Sequence, residues 1–456
     1  MARDGGRKNK AVLTEGPIGR TLFRLTVPMT AGILAMVAFN LTDTFFVSRL
    51  GTEKLAALSF TFPVVVFFTR IAMGLGIGLS SVLSRAIGQG DWREVRRLTT
   101  DGLTLSLTTV LVFVIAGLLT IDSVFGLLGA KGEMLALVKE YMKIWYWGLL
   151  FVVFPMVSNN AIRSTGDMKT PAAVMLIAVA VNLTLDPLLI FGIGPFPEMG
   201  LAGAALATVI ARMTTFAVTF YIIAKKLKMF TFEKVSPGVI FGSWRRILFI
   251  AVPAAATRVI IPFGQGVLTG MISTFGPGAV AALGVAIKVE LFVFAIVMAL
   301  SSVLSPFTGQ NLGAGRIDRM KKGISTSNRF VSLYGLGAAA LLMLTARPIA
   351  SLFTGDEGVI ADIVLYLRIV PAAYFMQGVL RLATEVLNVL GRPIHAAGLG
   401  VGQVFVLTIP LAWIGRAVYD TKGIFAGIAV AYMLSGIAAR WILAGQVRTV
   451  EARSAD

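Results

Sequence analysis

Long runs of apolar residues, each closed by a short polar or charged connection, recur along the whole chain, and the second half repeats the first. The runs predict twelve spans, at about 22–48, 55–81, 98–121, 134–160, 169–192, 202–224, 246–274, 279–306, 324–346, 359–385, 394–416 and 425–446. Crossing a bilayer needs roughly 20 residues of helix. Lipid offers no partner to the backbone, so each run must close its own hydrogen bonds as an α-helix. The repeat holds at a shift of 225 residues: Val27 and Pro28 return as Val252 and Pro253, Gly51 as Gly276, and Ala56, Ala57 and Leu58 as Ala281, Ala282 and Leu283. Gly88 and Gly90 return as Gly313 and Gly315, Tyr141 as Tyr366, and Gly166 as Gly391. Six spans fall in each half. An even number means that the second copy enters the membrane from the same side, so the repeats are parallel and related by an axis along the membrane normal.

The fold expected is an all-α membrane protein, twelve transmembrane helices in two six-helix lobes. Its divisions are an N-terminal segment 1–19, an N-lobe 20–224, a linker 225–245, a C-lobe 246–446 and a tail 447–456. Composition agrees: 56% of residues are hydrophobic and only 14% are charged, which excludes a soluble protein of this length. The net charge of +18 sits in alternate connections. One set holds Arg3, Arg7, Lys8, Lys10 and Arg20; Arg85, Arg93, Arg96 and Arg97; Lys225, Lys226, Lys228, Lys234, Arg245 and Arg246; and Arg316, Arg319, Lys321 and Lys322. The opposite set holds scattered cases such as Arg49, Lys54 and Lys131. The positive-inside rule makes the first set cytoplasmic and puts both termini inside, in a multi-pass protein of the plasma (inner) membrane. Nucleic acid is not an expected partner, because basic and aromatic residues are not gathered on a soluble module.

There is no cysteine and one histidine, His395, in a short polar connection after Gly391, Arg392 and Pro393. Disulfides and cysteine-ligated metals are excluded, no cofactor is expected, and His395 reads as a solvated loop residue. The stretch Met1–Gly19 is polar and basic, so no signal peptide is expected. Gly74, Gly76 and Gly78 lie inside the second span with no strand before them, which points to close helix packing and not to nucleotide binding. Trp145, Tyr146 and Trp147, near the outer start of the fourth span, read as an interfacial aromatic belt, with substrate stacking as the other reading. Asn40-Leu41-Thr42 and Asn182-Leu183-Thr184 match the glycosylation sequon but lie inside spans.

A charge inside a membrane helix costs about 2.5–3.5 kcal/mol on insertion scales, so each calls for a reason. Asp43 lies eight residues before Gly51 and Asp186 eight before Gly194, which sets both carboxyls at similar depth in spans of the same direction. Asn40 and Asn182 precede these acids by three and four residues and share their helix faces. Thr208 and Tyr141 reach a comparable level on the sixth and fourth spans. Carboxylate, amide and hydroxyl oxygens at one level suit a proton or a hard monovalent cation, with Na⁺ possible at Asp43, Asn182, Asp186 and Thr208. Two nearby acids would titrate as a pair. A purely structural pairing of the acids with membrane arginines is the competing reading. Pro187 removes the hydrogen bond that the Leu183 carbonyl would accept, and Pro28 should kink the first span. Whether that kink is static or moves stays open here.

The second half does not repeat this chemistry. At the same shift Asn40 becomes Gln265, but Asp43 becomes Leu268, Asn182 becomes Leu407 and Asp186 becomes Leu411. Thr208 aligns with Tyr432 when one residue is inserted. The C-terminal half keeps Arg258, Lys288, Glu290, Arg381 and Glu385 within spans. Arg381 and Glu385, four residues apart, are expected to pair on one helix as a structural contact. Lys288 and Glu290 do not face each other on a helix and receive no role.

At these residues the chain resembles the multidrug and toxic compound extrusion (MATE) family, and its DinF-like branch in particular, from about Pro17 to Val447. The matching stretches are Leu25 to Met29, Asn40 to Asp43, Gly51 through Ala57, Asn159 to Asp167, Asn182 to Pro187 and Gly200 through Thr208. The resemblance implies two lobes of six helices and export of organic cations against inward H⁺ or Na⁺. It implies that Asp43, Tyr141, Asn182, Asp186 and Thr208 form an N-lobe network and that Asn159 lies near the substrate cavity. Gln265, the counterpart of Asn40, joins Asn40 and Asn159 as a cavity candidate. The sodium-coupled branch carries an acid in the seventh helix, whereas this chain has no Asp or Glu between Arg246 and Thr274, which favours N-lobe coupling.

The function expected is therefore secondary antiport, as a monomer in the lipid bilayer, of cationic or amphipathic drugs and toxic compounds against H⁺ (or Na⁺), and not enzymatic. Two alternatives remain at this point, a lipid-linked precursor flippase of the related polysaccharide-exporter group and a major-facilitator transporter. The segment Gly88 to Arg97 lacks the core of the major-facilitator loop motif. An intramembrane enzyme would have only aspartyl chemistry available.

Overall fold

The computed structural model describes residues 11–48 and 52–455, with the side chains of 38–45, 47–48, 52–56 and 453–455 outside that description. Thirteen α-helices follow one another among these residues: α1 (Ile18–Ser48), α2 (Thr52–Gln89), α3 (Trp92–Leu127), α4 (Gly132–Ser164), α5 (Lys169–Phe191), α6 (Gly200–Tyr221), α7 (Pro237–Ser273), α8 (Pro277–Gly313), α9 (Ile317–Ser351), α10 (Glu357–Ile369), α11 (Tyr374–Val389), α12 (Pro393–Val401) and α13 (Ile409–Ala455). Ten stretches of the described residues are long and apolar enough to cross a membrane, the last being Pro393–Ala452.

Two spans are less regular than their apolar runs suggest, and the last two are joined within α13. The tenth is split into α10 and α11 by a tight turn, Val370–Ala373, where Pro371 has no N–H to give to the helix. The eleventh widens into a π-helical segment, Gly402–Thr408, between α12 and α13. Finally, α13 breaks at Tyr419 and Asp420, the latter with φ 50° and ψ −133°. Past that break the chain doubles back. Gly415 and Gly423 lie so close that a Cβ on either would strike the carbonyl of the other, and a Cβ on Gly427 would come 2.5 Å from the Leu411 carbonyl oxygen. The two halves of α13 thus serve as the end of the eleventh span and the whole of the twelfth. The helix α7 starts at Pro237, inside the charged connection that follows α6.

Glycines that repeat at the shift of 225 stand at equivalent turns. Gly90 and Gly315 follow α2 and α8 with φ of 78° and 69°. Each donates its N–H three residues back, to Ile87 and to Leu312, at 3.1 Å. Gly166 and Gly391 follow α4 and α11 with φ of 93° and 74° and bond back to Arg163 and Asn388. A side chain in this left-handed region would be strained, which accounts for glycine at both copies.

Contacts divide the chain into two units, one holding Val27–Ala255 and the other Val12–Thr26 together with Ala256–Asp456. The divisions fall within helices, in α1 beside Pro28 and in α7 just after Pro253, so the first part of each repeat's leading helix packs with the other repeat. Neither Pro28 nor Pro187 ends its helix. In the second unit the segment before α1 is clasped by the α8–α9 corner. The Leu13 N–H donates to Gln310 Oε1 at 3.0 Å, Asn311 donates to the Leu13 carbonyl, and Arg316 and Arg319 donate to the carbonyls of Thr14, Glu15 and Gly16.

The first unit packs α4 against α2, α3 and α6. Trp145 and Tyr146 are 3% and 2% exposed, and their rings cluster with Phe68. Only Trp147, 70% exposed, keeps the outward position that an interfacial belt requires. For Trp145 and Tyr146 the belt reading is corrected: they fill the core, and Gly117 of α3 leaves room for the Tyr146 ring. The Gly74/Gly76/Gly78 run packs closely, as expected. A Cβ on Gly74 would lie 2.7 Å from the Ala251 carbonyl oxygen of α7, and one on Gly78 would lie 2.6 Å from that of Ile247. Gly74→Val should therefore destabilise the purified protein by about 1–3 kcal/mol, read as a lowered midpoint in detergent thermal unfolding. Gly337→Ala, with no atom within 4 Å of the new Cβ, should leave the midpoint unchanged or raise it slightly.

Candidate functional site

The first unit buries an acid and an amide on one face of α5. Asn182 and Asp186 are 1% and 0% exposed, and the Asn182 amide Nδ2 donates to Asp186 Oδ1 at 3.0 Å. Their spacing of four residues makes the contact possible within one helix. An ionised carboxylate is acceptor-only, so a buried one needs donors such as this amide. Pro187, next in sequence, removes one more backbone N–H from the same turn.

The hairpin of α5 and α6 carries Thr208 to this level. Gly203 presses against the Leu189 carbonyl. Counting back from that contact along both antiparallel helices places Thr208 within about 3 Å of the Asp186 level along the helix axis. Thr208 is half-buried. On α4, Gly148 meets Val209 of α6. The same count sets Tyr141, which is buried, about one turn from the level of Asp186. Four of the five expected network positions thus lie on adjoining helices of one unit. The side chains of Asp43 and Asn40, on α1, lie outside the described residues.

The expected cavity residues are not gathered with them in the described contacts. Asn159, on α4, is 8% exposed, and its Oδ1 has no hydrogen-bond partner among the described residues. Its neighbour Asn160 is engaged by Arg163 at 2.5 Å and by the Met156 carbonyl at 2.8 Å. Gln265 stands on an exposed face of α7 in the second unit. His395 is exposed in the first turn of α12, 3.4 Å from Gln446. No group of three or more His, Cys, Asp or Glu side chains is arranged to hold a metal among the described residues.

The second unit holds a constellation that spacing and hydropathy left without a role. Glu290, on α8, accepts hydrogen bonds from three tyrosines. Tyr366 donates to Oε2 at 2.8 Å, Tyr374 to the same oxygen at 3.5 Å, and Tyr432 to Oε1 at 3.2 Å. The signal was present in the repeat, since Tyr366 is the counterpart of Tyr141 and Tyr432 that of Thr208. The expected Arg381–Glu385 pair is corrected as well. Glu385 is taken by Arg258 of α7, with Nη2 to Oε1 at 3.0 Å. The Arg381 guanidinium lies over the Phe294 ring, 5.1 Å from its centre, and its buried Nε has no hydrogen-bond partner among the described residues. A planar cation gains more over a ring it can cover than from a carboxylate already held from another helix. Nearby, Gln403 of the π-helical segment donates to Gln377 of α11 at 2.6 Å.

Comparison with known proteins fits this architecture. The MatE family profile matches twice, over residues 28–188 and 253–414, so its two starts are Pro28 and Pro253. The chain is 36% identical over 449 residues to an FAD transporter of Shewanella oneidensis, covering 98% of this chain and 99% of the relative. It is 23% identical to the multidrug export protein MepA of Staphylococcus aureus, covering 94% of each. Among solved structures, the Vibrio cholerae MATE transporter VcmN in its bent form matches with a TM-score of 0.90 at 28% identity, covering 95% of this chain and 98% of that one. These matches remove the major-facilitator and enzyme readings. With a doubled family match, a relative of more than one-third identity along almost its whole length, and a shared all-helical fold, this multi-pass membrane protein belongs to the MATE family of secondary transporters.

Proposed function

We propose that the protein exports a flavin dinucleotide, FAD or a close analogue, in exchange for protons that bind at Asp186 and Asp43. The single observation that carries the substrate class is the 36% identity to an FAD transporter over 98% of the chain, against 23% to multidrug exporters. The charges within the second unit support it. Arg258 and Glu385 cancel each other, whereas Lys288 is exposed on α8 and without an ion-pair partner among the described residues, and Arg381 keeps an unused donor. Cations of this kind can meet a pyrophosphate, and planar rings can meet a flavin. Export of cationic or amphipathic drugs is the second reading, favoured by the buried acid of the first unit and by the similarity to MepA.

The coupling reading rests on the Asn182–Asp186 contact and on the approach of Thr208 and Tyr141 to its level. A carboxyl in such a place is neutral when it holds a proton and costly to leave charged and unmet. Na⁺ at Asp43, Asn182, Asp186 and Thr208 is the other ion this oxygen set accommodates. Proton binding and substrate binding would favour different states of one alternating-access equilibrium. The flexing element would be α1, whose passage from one unit to the other beside Pro28 is the place where a bend has most effect. Both termini would be cytoplasmic, on the lysine- and arginine-rich side. The chain would act as a monomer, since its duplication supplies both lobes, and the acid on α1 with none on α7 favours the DinF-like branch.

Proteoliposomes with the pH gradient and the sodium gradient imposed separately test this. An imposed proton gradient should drive FAD uptake into vesicles carrying wild-type protein. Asp186→Asn should reduce that rate by about tenfold or more, the equivalent of roughly 1.4 kcal/mol, while the protein still purifies as a monodisperse species. Gradient-driven FAD transport at the wild-type rate in Asp186→Asn would defeat the coupling role. Transport of a cationic dye with no transport of FAD would favour the drug reading.

A further inference from the structure

We propose that the C-terminal unit contains a second proton-exchange site, with the Glu290 carboxyl as the proton carrier and the hydroxyls of Tyr366, Tyr374 and Tyr432 as its cage. These groups come from four elements, α8, α10, α11 and the second half of α13, and all belong to one unit. Tyr366 and Tyr374 are 2% and 1% exposed. Their rings are fixed edge-on, Tyr366 against Phe425 at 5.1 Å and Tyr374 against Phe294 at 5.0 Å.

The repeat explains why this site is there and why it differs from the first. The hydroxyl-bearing positions of the N-terminal network, Tyr141 and Thr208, persist as Tyr366 and Tyr432. Its acids, Asp43 and Asp186, are replaced by Leu268 and Leu411. A new acid enters from the second helix of the repeat, where Glu290 replaces Val65. The second copy keeps hydroxyls at the repeat-equivalent positions and draws its carboxyl from another helix.

The cage suits a proton. With Glu290 ionised, three O–H groups can donate to its two oxygens. When a proton joins the carboxylate, the new O–H can donate to one tyrosine oxygen, which turns its own hydrogen away. Both states keep their hydrogen bonds without moving a heavy atom, and the only bond made or broken is O–H. A metal ion would instead have to part oxygens that now touch at 2.8 Å. The other charged groups around are accounted for. Arg381 of α11 lies over the Phe294 ring, Lys288 is exposed two residues away on the same helix, and Arg258 and Glu385 are closed on each other.

This site rests on the proton-driven reading of the protein, but the two can fail separately. Infrared difference spectra of the purified full-length protein, taken between alkaline and acidic pH without sodium, read the C=O stretch of each carboxyl as it gains a proton. Glu290→Gln should remove one component of the wild-type signal, and Asp186→Asn should remove a different one. Tyr366→Phe should keep the Glu290 component and move its midpoint. If Glu290→Gln does not fold, Glu290→Asp should keep the component at a shifted frequency. An unchanged spectrum in Glu290→Gln, or in Glu290→Asp, overturns the proposal. So does a Glu290 signal that appears on adding sodium at fixed pH and not on adding acid. Loss of only the Glu290 component, with Asp186→Asn spectrally silent, upholds this site and overturns the coupling role of Asp186.

Discussion

A carboxyl placed inside a membrane helix must be met by donors from the protein itself, because lipid supplies none. That requirement organises the polar interior of this chain. Asp186 has the amide of Asn182 one turn away on the same helix. Glu290 has hydroxyls from three other segments. Glu385 has the guanidinium of Arg258 across from it. Each is a different solution, and they differ in what they permit. A paired arginine and carboxylate are a closed contact. An amide or a set of hydroxyls can serve a carboxyl in either protonation state.

Duplication supplied the frame on which these solutions diverged. The turn glycines Gly90 and Gly315, and Gly166 and Gly391, keep both their conformation and their hydrogen bonds across the two copies. Backbone geometry has little room to drift, since a side chain at these positions is strained. Side-chain chemistry has more room, and the acids of the first copy are leucines in the second. The leading helix of each copy passes from one unit to the other beside a proline, Pro28 or Pro253.

Much of this was legible in the sequence. The all-helical membrane fold, the repeat and the close packing of Gly74 and Gly78 follow from hydropathy and residue size. So does the Asn182–Asp186 contact, since four residues bring two side chains together on any helix. What the sequence hid was direction across helices. Trp145 and Tyr146 could face either headgroups or core, because an aromatic run near a helix end satisfies both environments. Glu385 had a candidate partner on its own helix and chose one on another, since Arg381 is held by the face of Phe294. The Glu290 cage joins residues separated by 76 to 142 positions, and no local spacing announces such a meeting. The fold-back at Tyr419 and Asp420 falls in the connection expected between the last two spans, whereas the π-helical widening at Gly402–Thr408 has no hydropathy signal of its own.

The central claim is that a buried acid in the N-terminal unit gives up a proton when substrate binds. Proton release by the purified protein in a weakly buffered solution tests it directly, with FAD added at matched pH and the change followed by an indicator dye. The account predicts a stoichiometric acidification that is absent in Asp186→Asn. No acidification in the wild type despite measured FAD binding, or an equal acidification in the variant, would contradict it.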